Sequence, residues 1–327
     1  MRKISFSLLS LFMVLTLAAC NSQEKTTQVK ADNKPVTVHF GILRSAQPLS
    51  LSEEGGPLYK RLEAAGAKIE KTDGFAAMAP AIEALNAGSI DITIGSITAG
   101  ISALVGGTSE FTIFAKQKSD ITNQGIVARP EAGIKNASDL KGKKIAVNRG
   151  GTGEYLLYKA LDKAGLKASD VKIVYLPPTE AGPAFQSGKV DAWATWGSFT
   201  ALAEEQYNAN LVISAGDIDS ENDTVYVVRN DFLKEHPKLV YEIFKGLNEE
   251  AELLAKDREK TVTLIKDTQS VTEQVARKQL EGALYPVENI DDTVRERWQG
   301  IADFTFKKGI IPKSVDLKSS TVDVTTN

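Results

Sequence analysis

The stretch Arg149-Gly150-Gly151-Thr152-Gly153-Glu154 leads from a β-branched run into a helical pattern. A glycine-rich strand-to-helix turn of this kind can offer backbone N–H groups, a hydroxyl and a helix N-terminus to an anion. A second such turn carries Ser96 and Thr98. A ligand with an anionic end can therefore be held by the N–H groups of residues 150–152 and the hydroxyls of Thr152, Ser96 and Thr98. The same residues also have a purely structural use, in which Gly150, Gly151 and Gly153 make the turn and Thr152 caps the helix that follows. Glu154 stands in the first helical turn, where a carboxylate complements the helix dipole with or without a ligand.

Other chemistries find little support. Cys20 is the one cysteine in 327 residues, so neither a disulfide framework nor a cysteine-based zinc site forms within the chain. His39 falls in the first strand and His236 precedes Pro237 at a helix boundary, and neither suggests a catalytic base. Asp217, Asp219, Glu221 and Asp223 alternate as calcium ligands do, but they lack the glycine and the twelfth-position glutamate of an EF-hand and read as a solvated loop. No metal and no cofactor is expected. With 39 Lys+Arg against 42 Asp+Glu, a net charge of −3 gives no overall positive field to collect phosphates, so nucleic acid is not an expected partner.

The elements that must position these turns are legible in outline. Arg2 and Lys3 precede an apolar stretch over residues 4–17 and then small residues, the order of a secretory signal and too short to span a bilayer comfortably. Removal of residues 1–19 leaves 308 residues with a net charge of −5. Residues 21–35 hold almost no bulky apolar side chain and read as a flexible tether. From Val36 onward, β-branched runs at 36–43, 90–94, 111–115, 144–148, 171–175, 190–195 and 211–214 alternate with helical spacing at 58–65, 79–87, 154–164 and 179–186, which predicts α/β units on a mainly parallel sheet. Gly66, Gly88, Gly165 and Gly188 sit just past helix ends, and residues 230–308 read mostly helical.

An internal repeat divides the chain. Ala84-Leu85-Asn86-Ala87-Gly88-Ser89-Ile90-Asp91-Ile92 matches Ala184-Phe185-Gln186-Ser187-Gly188-Lys189-Val190-Asp191-Ala192, and Gly95-Ser96-Ile97-Thr98-Ala99 aligns with Gly197-Ser198-Phe199-Thr200-Ala201. Two similar lobes follow, with Asp91 and Asp191 as helix-to-strand turn residues away from the cleft. Ligands of open α/β sheets sit beyond the carboxyl ends of strands, so facing lobes make a cleft.

These residues resemble the substrate-binding lipoproteins of ABC importers for aliphatic sulfonates, taurine, nitrate and thiamine precursors. The resemblance spans roughly residues 36–237. It rests on Ile82-Glu83-Ala84-Leu85-Asn86-Ala87-Gly88-Ser89-Ile90-Asp91, Asp139-Leu140-Lys141-Gly142-Lys143-Lys144-Ile145-Ala146-Val147-Asn148, Tyr175-Leu176-Pro177-Pro178 and Ser187-Gly188-Lys189-Val190-Asp191-Ala192-Trp193-Ala194-Thr195-Trp196. It implies a two-lobed α/β fold of the periplasmic-binding-protein type II kind. Lobe I would comprise residues 36–118 plus 223–327 and lobe II residues 119–222, joined by two crossovers near Ser119 and Asn222 and closing like a hinge. Leu17-Ala18-Ala19-Cys20 resembles a lipobox, which makes Cys20 the lipidated N-terminus that holds residues 20–35 to the membrane.

The resemblance also implies contacts, several on altered residues. Gly41-Ile42-Leu43-Arg44 stands where the family often has Gly-Tyr-Gln-Lys, and Arg44 can clamp an anion bidentately. Phe75-Ala76-Ala77-Met78 replaces Phe-Pro-Ser-Gly and lacks a hydroxyl for a sulfonate oxygen, with Phe75 either lining the cleft or packing beneath it. Trp193-Ala194-Thr195-Trp196-Gly197-Ser198 replaces Trp-Ala-x-Trp-Asp-Pro. Trp196 can stack on a ring or wall an alkyl chain, Ser198 opens the next helix, and Trp193 on the opposite face belongs to the core. If Arg44 and Glu154 both face the cleft, a ligand with separate positive and negative groups suits them.

The expected function is extracytoplasmic capture of a small organic anion or zwitterion of the sulfonate or taurine class, by a monomer that delivers it to a permease and its ATPase. The alternatives are a thiamine pyrimidine precursor, a nitrate-like anion, or a sensory or adhesion role without transport. An enzymatic role like that of the thiamine-pyrimidine synthases of the wider family lacks its cysteine-rich iron site here.

Overall fold

The computed structural model describes residues 35–106 and 109–326. The signal segment, Cys20 and most of the tether lie outside the described residues. Eleven strands form two sheets: β1 (Val36–Leu43), β2 (Ala67–Phe75), β3 (Ile92–Ser96), β4 (Phe111–Gln117), β5 (Gln124–Ala128), β6 (Lys144–Val147), β7 (Lys172–Tyr175), β8 (Ala192–Trp196), β9 (Asn210–Ser214), β10 (Thr224–Arg229) and β11 (Val287–Glu288). The first sheet runs β11-β4-β10-β3-β1-β2 and the second β7-β6-β8-β5-β9.

Apart from β11 the two orders are the same, because the chain changes sheets twice. It leaves the first after β4 to enter the second as β5, and returns after β9 to enter the first as β10. Each arriving strand inserts antiparallel into its new sheet, β10 between β3 and β4 and β5 between β8 and β9. This overturns the expectation of mainly parallel sheets, since five of the nine pairings are antiparallel. The β-α-β units at β1-β2-β3 and β6-β7-β8 are parallel as their alternating pattern requires, but a strand that crosses from another sheet brings no helix to reverse it.

The repeat is structural and keeps an offset of 100 residues throughout. Gly88 and Gly188 both adopt a left-handed φ of 73° just past a helix end, where a side chain would be strained. Asp91 accepts the N–H of His39 at 2.9 Å, and Asp191 that of Lys144 at 2.8 Å, each tying a strand start to its neighbour. Asp91 is buried and also receives Arg229, as Asp191 stands 3.8 Å from Arg129. With that offset Gly95 pairs with Val225 as Thr195 pairs with Gly125, so the aligned turn residues are Ser96 and Trp196, then Thr98 and Ser198. The match of Gly95-Ser96 to Gly197-Ser198 is thereby corrected by two residues.

Alternation along the strands buries both faces of each sheet. On β10, Val225 and Val227 face one cluster with Trp298 and Ile101, whereas Tyr226 and Val228 face another with Phe40 and Leu247. On the second sheet Ile126, Ile145 and Ala194 share one cluster, and Val127, Ala146 and Trp193 the other. Trp193 is thus core, as its alternation with Trp196 implies.

One buried charge sits away from the site. Glu250, on the helix Pro237–Lys256, is 3% exposed and accepts the N–H of Leu58 at 3.4 Å, at the start of the helix Pro57–Ala64. Burial raises its pKa above the ordinary carboxyl range, against the lowering effects of that N–H, Lys71 and Lys260, and Glu53 adds to the rise. A carboxyl raised on folding gives its full stability only below its unfolded pKa, and that stability is lost as pH climbs through the folded value. Glu250→Gln keeps an acceptor for Leu58 and removes the charge. Thermal unfolding is expected to show Tm raised by about 1–2 °C at pH 7–8, the shift that about 1 kcal/mol gives a unit of this size, with the gain fading towards pH 4.

Candidate ligand-binding site

Four helices begin on one cavity. Their N-cap residues are Ala77 for Met78–Asn86, Ser96 for Ile97–Val105, Gly151 for Thr152–Lys163 and Trp196 for Gly197–Gln206, and all four line a space of about 150 Å³. Two of these helices follow strands of the first sheet and two follow strands of the second, so the cavity lies between the sheets. Each helix N-terminus carries roughly half a positive charge and N–H groups without intrahelical partners. An engineered cavity of about 150 Å³ in another protein takes up benzene, which sets the scale of occupant.

The remaining walls come from the two connections between sheets and from the segment after the helix Glu273–Gln279. Lys118, Ser119, Asp120 and Asn123 belong to the first connection, Asn222 to the second, and Leu284 and Tyr285 close the side. Arg44 and Lys118 supply two cations among the lining residues against the carboxylate of Asp120. Lys118 Nζ sits 5.4 Å from the centre of the Tyr285 ring. Leu43, Ala46, Met78, Ile94 and Trp196 add an apolar wall. The arrangement suits a small molecule with an anionic head and a short apolar body.

Of the expected contact residues, Arg44, Ser96, Gly151, Thr152, Trp196 and Ser198 line the cavity. Arg44 is fixed through its backbone: its N–H donates to Phe75 O at 3.2 Å, and its carbonyl accepts Ser198 Oγ from across the cleft at 3.4 Å. Trp196 stands edge-on to Phe199, 5.5 Å between ring centres.

Phe75, Thr98, Gly150 and Glu154 do not reach the cavity wall, each for a visible reason. Phe75 packs on the cluster of Met78 and Ile90. Thr98 is 2% exposed, and its N–H and hydroxyl both donate to Asn222 Oδ1, at 3.3 and 3.1 Å. Gly150 takes a left-handed φ of 67°, and its N–H donates to Glu154 Oε2 at 2.7 Å, leaving none for a ligand. Glu154 folds back on that N–H and accepts the Tyr175 hydroxyl at 2.6 Å, so it does not face Arg44 across the cleft. Burial first, and Glu154 second, hold the Tyr175 hydroxyl well above its ordinary pKa, which keeps it a donor at neutral pH. Arg149 stacks on the Tyr175 ring at 3.6 Å. Tyr155 packs edge-on to Phe304, and burial pushes its hydroxyl up to about 12.

Thr152 is not the helix cap. Gly151 holds that position without a side-chain bond, and the Thr152 hydroxyl accepts Asn222 Nδ2 at 3.0 Å. Gly153 is required by packing, since a Cβ there would come within 2.4 Å of the Ala194 carbonyl. Sequence reasoning missed Asn222, Lys118 and Asp120 as wall residues, although the expected crossovers near Ser119 and Asn222 placed them at the cleft. No local signal marks Leu284 or Tyr285.

The NMT1/THI5-like family description matches residues 79–261, more than half of the chain. The chain belongs to the NMT1/THI5-like family. A Bacillus subtilis (strain 168) protein provisionally named an aliphatic sulfonates-binding protein is 29% identical over 310 residues, covering 94% of this chain and 91% of that relative. The crystal structure of the periplasmic aliphatic sulphonate binding protein SsuA from Escherichia coli superposes with a TM-score of 0.78 at 26% identity, over 88% of this chain and 92% of the other. The expected two-lobed α/β fold of periplasmic binding proteins is therefore the fold of this NMT1/THI5-like chain. The desulfurization enzyme DSZB shares that fold alone, with a TM-score of 0.66 at 16% identity over 89% of this chain and 98% of the enzyme. Among the described residues no helix is long and apolar enough to cross a membrane.

Proposed function

We propose that this chain is the solute-binding lipoprotein of an ABC importer, lipidated at Cys20, which captures a small organic anion of the sulfonate class outside the cytoplasm and hands it to a permease powered by an ATPase. Lobe I comprises residues 36–118 plus 223–327 and lobe II residues 119–222, and the ligand is released unchanged. The observation that carries this reading is the meeting of four helix N-termini with Arg44 and Lys118 around one small cavity. Positive ends from both lobes attract the same anion, so the ligand itself draws the lobes together. Contacts fall to Arg44, Gly151, Thr152, Trp196 and Ser198, with Ser96 supporting the turn. Because Glu154 is spent on Gly150 and Tyr175, its part in holding a zwitterion is withdrawn, and a plain sulfonate with a short alkyl or aryl body fits better.

A thermal-shift panel of alkane- and arylsulfonates, taurine, nitrate, pyrimidine precursors and uncharged analogues tests the reading, because a ligand of the native state must raise Tm. Sulfonates are expected to give the largest shift, about 2.7 kcal/mol of stabilisation at a hundredfold excess over Kd, and to be recovered intact. A shift confined to nitrate or to pyrimidines would move the assignment to those importers, turnover of a sulfonate would make the chain an enzyme, and no shift at all would favour the sensory or adhesion role.

A further inference from the structure

We propose that Asn222 is a positioning residue: its amide fixes the Thr152 hydroxyl as a hydrogen-bond donor to the anionic head of the ligand. This rests on the reading of the cavity as an anion site. The argument is one of hydrogen-bond direction. The Thr98 backbone N–H can only donate, so the Asn222 atom 3.3 Å from it is the amide oxygen. The Thr98 hydroxyl lies 3.1 Å from the same oxygen and must also donate to it.

Orientation of the amide then dictates the rest. Its other end, Nδ2, has only hydrogens to offer and stands 3.0 Å from Thr152 Oγ1. Thr152 must accept there, and its own hydrogen is free to point elsewhere. Among the described residues the hydroxyl makes no other hydrogen bond, and Thr152 lines the cavity. Ser96 is the opposite case. Its oxygen accepts the Ala99 N–H at 3.2 Å, and since Thr98 has spent its hydrogen on Asn222, Ser96 donates to Thr98 across 3.1 Å. Of the three hydroxyls at these turns, only that of Thr152 has a hydrogen left for the ligand.

Asn222 is built to hold this direction. It is 2% exposed, and the next residue is anchored three ways: the Asp223 carbonyl accepts the Ile97 N–H at 2.8 Å, and its carboxylate accepts Trp298 Nε1 at 2.9 Å and Arg297 Nη2 at 2.5 Å. The amide therefore rides on the first sheet's helices and reaches across to the helix of the second that starts at Thr152. The hydroxyl is set as a donor when the two sides meet, which favours a head made only of acceptor oxygens over one that carries N–H groups.

A double-mutant cycle with the full chain and ethanesulfonate, read as Kd by calorimetry, tests this. Thr152→Val is expected to weaken binding about tenfold and Asn222→Ala about fivefold, whereas the double variant should be no weaker than Thr152→Val within about twofold. In a Thr152→Ser background, which keeps the hydroxyl, the cost of Asn222→Ala should return. A merely structural role would show the same cost in every background, so losses that multiply overturn the proposal, as does an Asn222→Ala variant with unchanged Kd. If Asn222→Ala fails to fold, Asn222→Ser, which is too short to span to Thr152, takes its place in the cycle. Failure of the unmodified chain to bind ethanesulfonate removes the anion reading and this inference with it, whereas binding with an additive cycle removes only the role of Asn222.

Discussion

Trp298→Ala should lower the free energy of unfolding by about 3–5 kcal/mol, the range for truncating a large buried aromatic side chain. Trp298 is fully buried on the helix Asp292–Lys307, among Ile101, Ile113 and Val227. Its loss opens a cavity beneath the first sheet and removes the indole N–H from the Asp223 carboxylate, which keeps the guanidinium of Arg297. Since whole domains are stable by only about 5–15 kcal/mol, this one change takes a large share. Trp298→Phe retains most of the volume but not the N–H, and should cost about 1–2 kcal/mol. Urea denaturation measures both. A loss under about 1 kcal/mol for the alanine variant would mean that the helix does not seal the first sheet as described. Because Asp223 adjoins Asn222, the phenylalanine variant should also weaken ligand binding, by less than Asn222→Ala does.

Arg44→Ala should raise the Kd for a sulfonate by up to about 100-fold and leave the Tm of the ligand-free protein nearly unchanged. A charge-assisted bond contributes about 1.5–3 kcal/mol, more where guanidinium meets two oxygens of one head. The side chain is exposed and lines the cavity, and what fixes the residue is its backbone, through Phe75 O and Ser198 Oγ. Removing the side chain therefore subtracts from binding far more than from folding. Arg44→Lys should retain part of the affinity, because charge remains while the planar fork is lost. Calorimetry at two salt concentrations reads both effects, and an alanine variant of equal affinity would take Arg44 out of the site.

How far the sequence reached depended on how local each signal was. The repeat around Gly88 and Gly188 is written in contiguous residues, and the strands and preceding helices read there match β3, β8, Met78–Asn86 and Pro178–Gln186 to within about two residues. β2 and β11 carry no strand in that reading, and neither do β5 and β10, whose absence hides the mixed character of the sheets, because antiparallel insertion follows from the exchange of chain between sheets and leaves no mark on five or six residues. The same contrast divides the site. Gly151, Thr152, Ser96 and Trp196 were legible as residues lining the cavity because strand-to-helix turns at the carboxyl ends of strands must face a cleft. Thr98 and Glu154 were misplaced because their inward turn depends on Asn222 and Tyr175, 124 and 21 residues away in the chain. Gly150 follows Glu154, whose carboxylate occupies its N–H. Two residues with ordinary propensities can thus be withdrawn from a site by partners that no periodicity reveals.

The most direct test of the account is a crystal structure of the protein grown with ethanesulfonate. It should show the sulfonate between Arg44 and Thr152, with its oxygens within hydrogen-bond distance of the Thr152 hydroxyl and its ethyl group against Trp196. An empty cleft at saturating ligand, or a sulfonate bound outside the four helix N-termini, would contradict it.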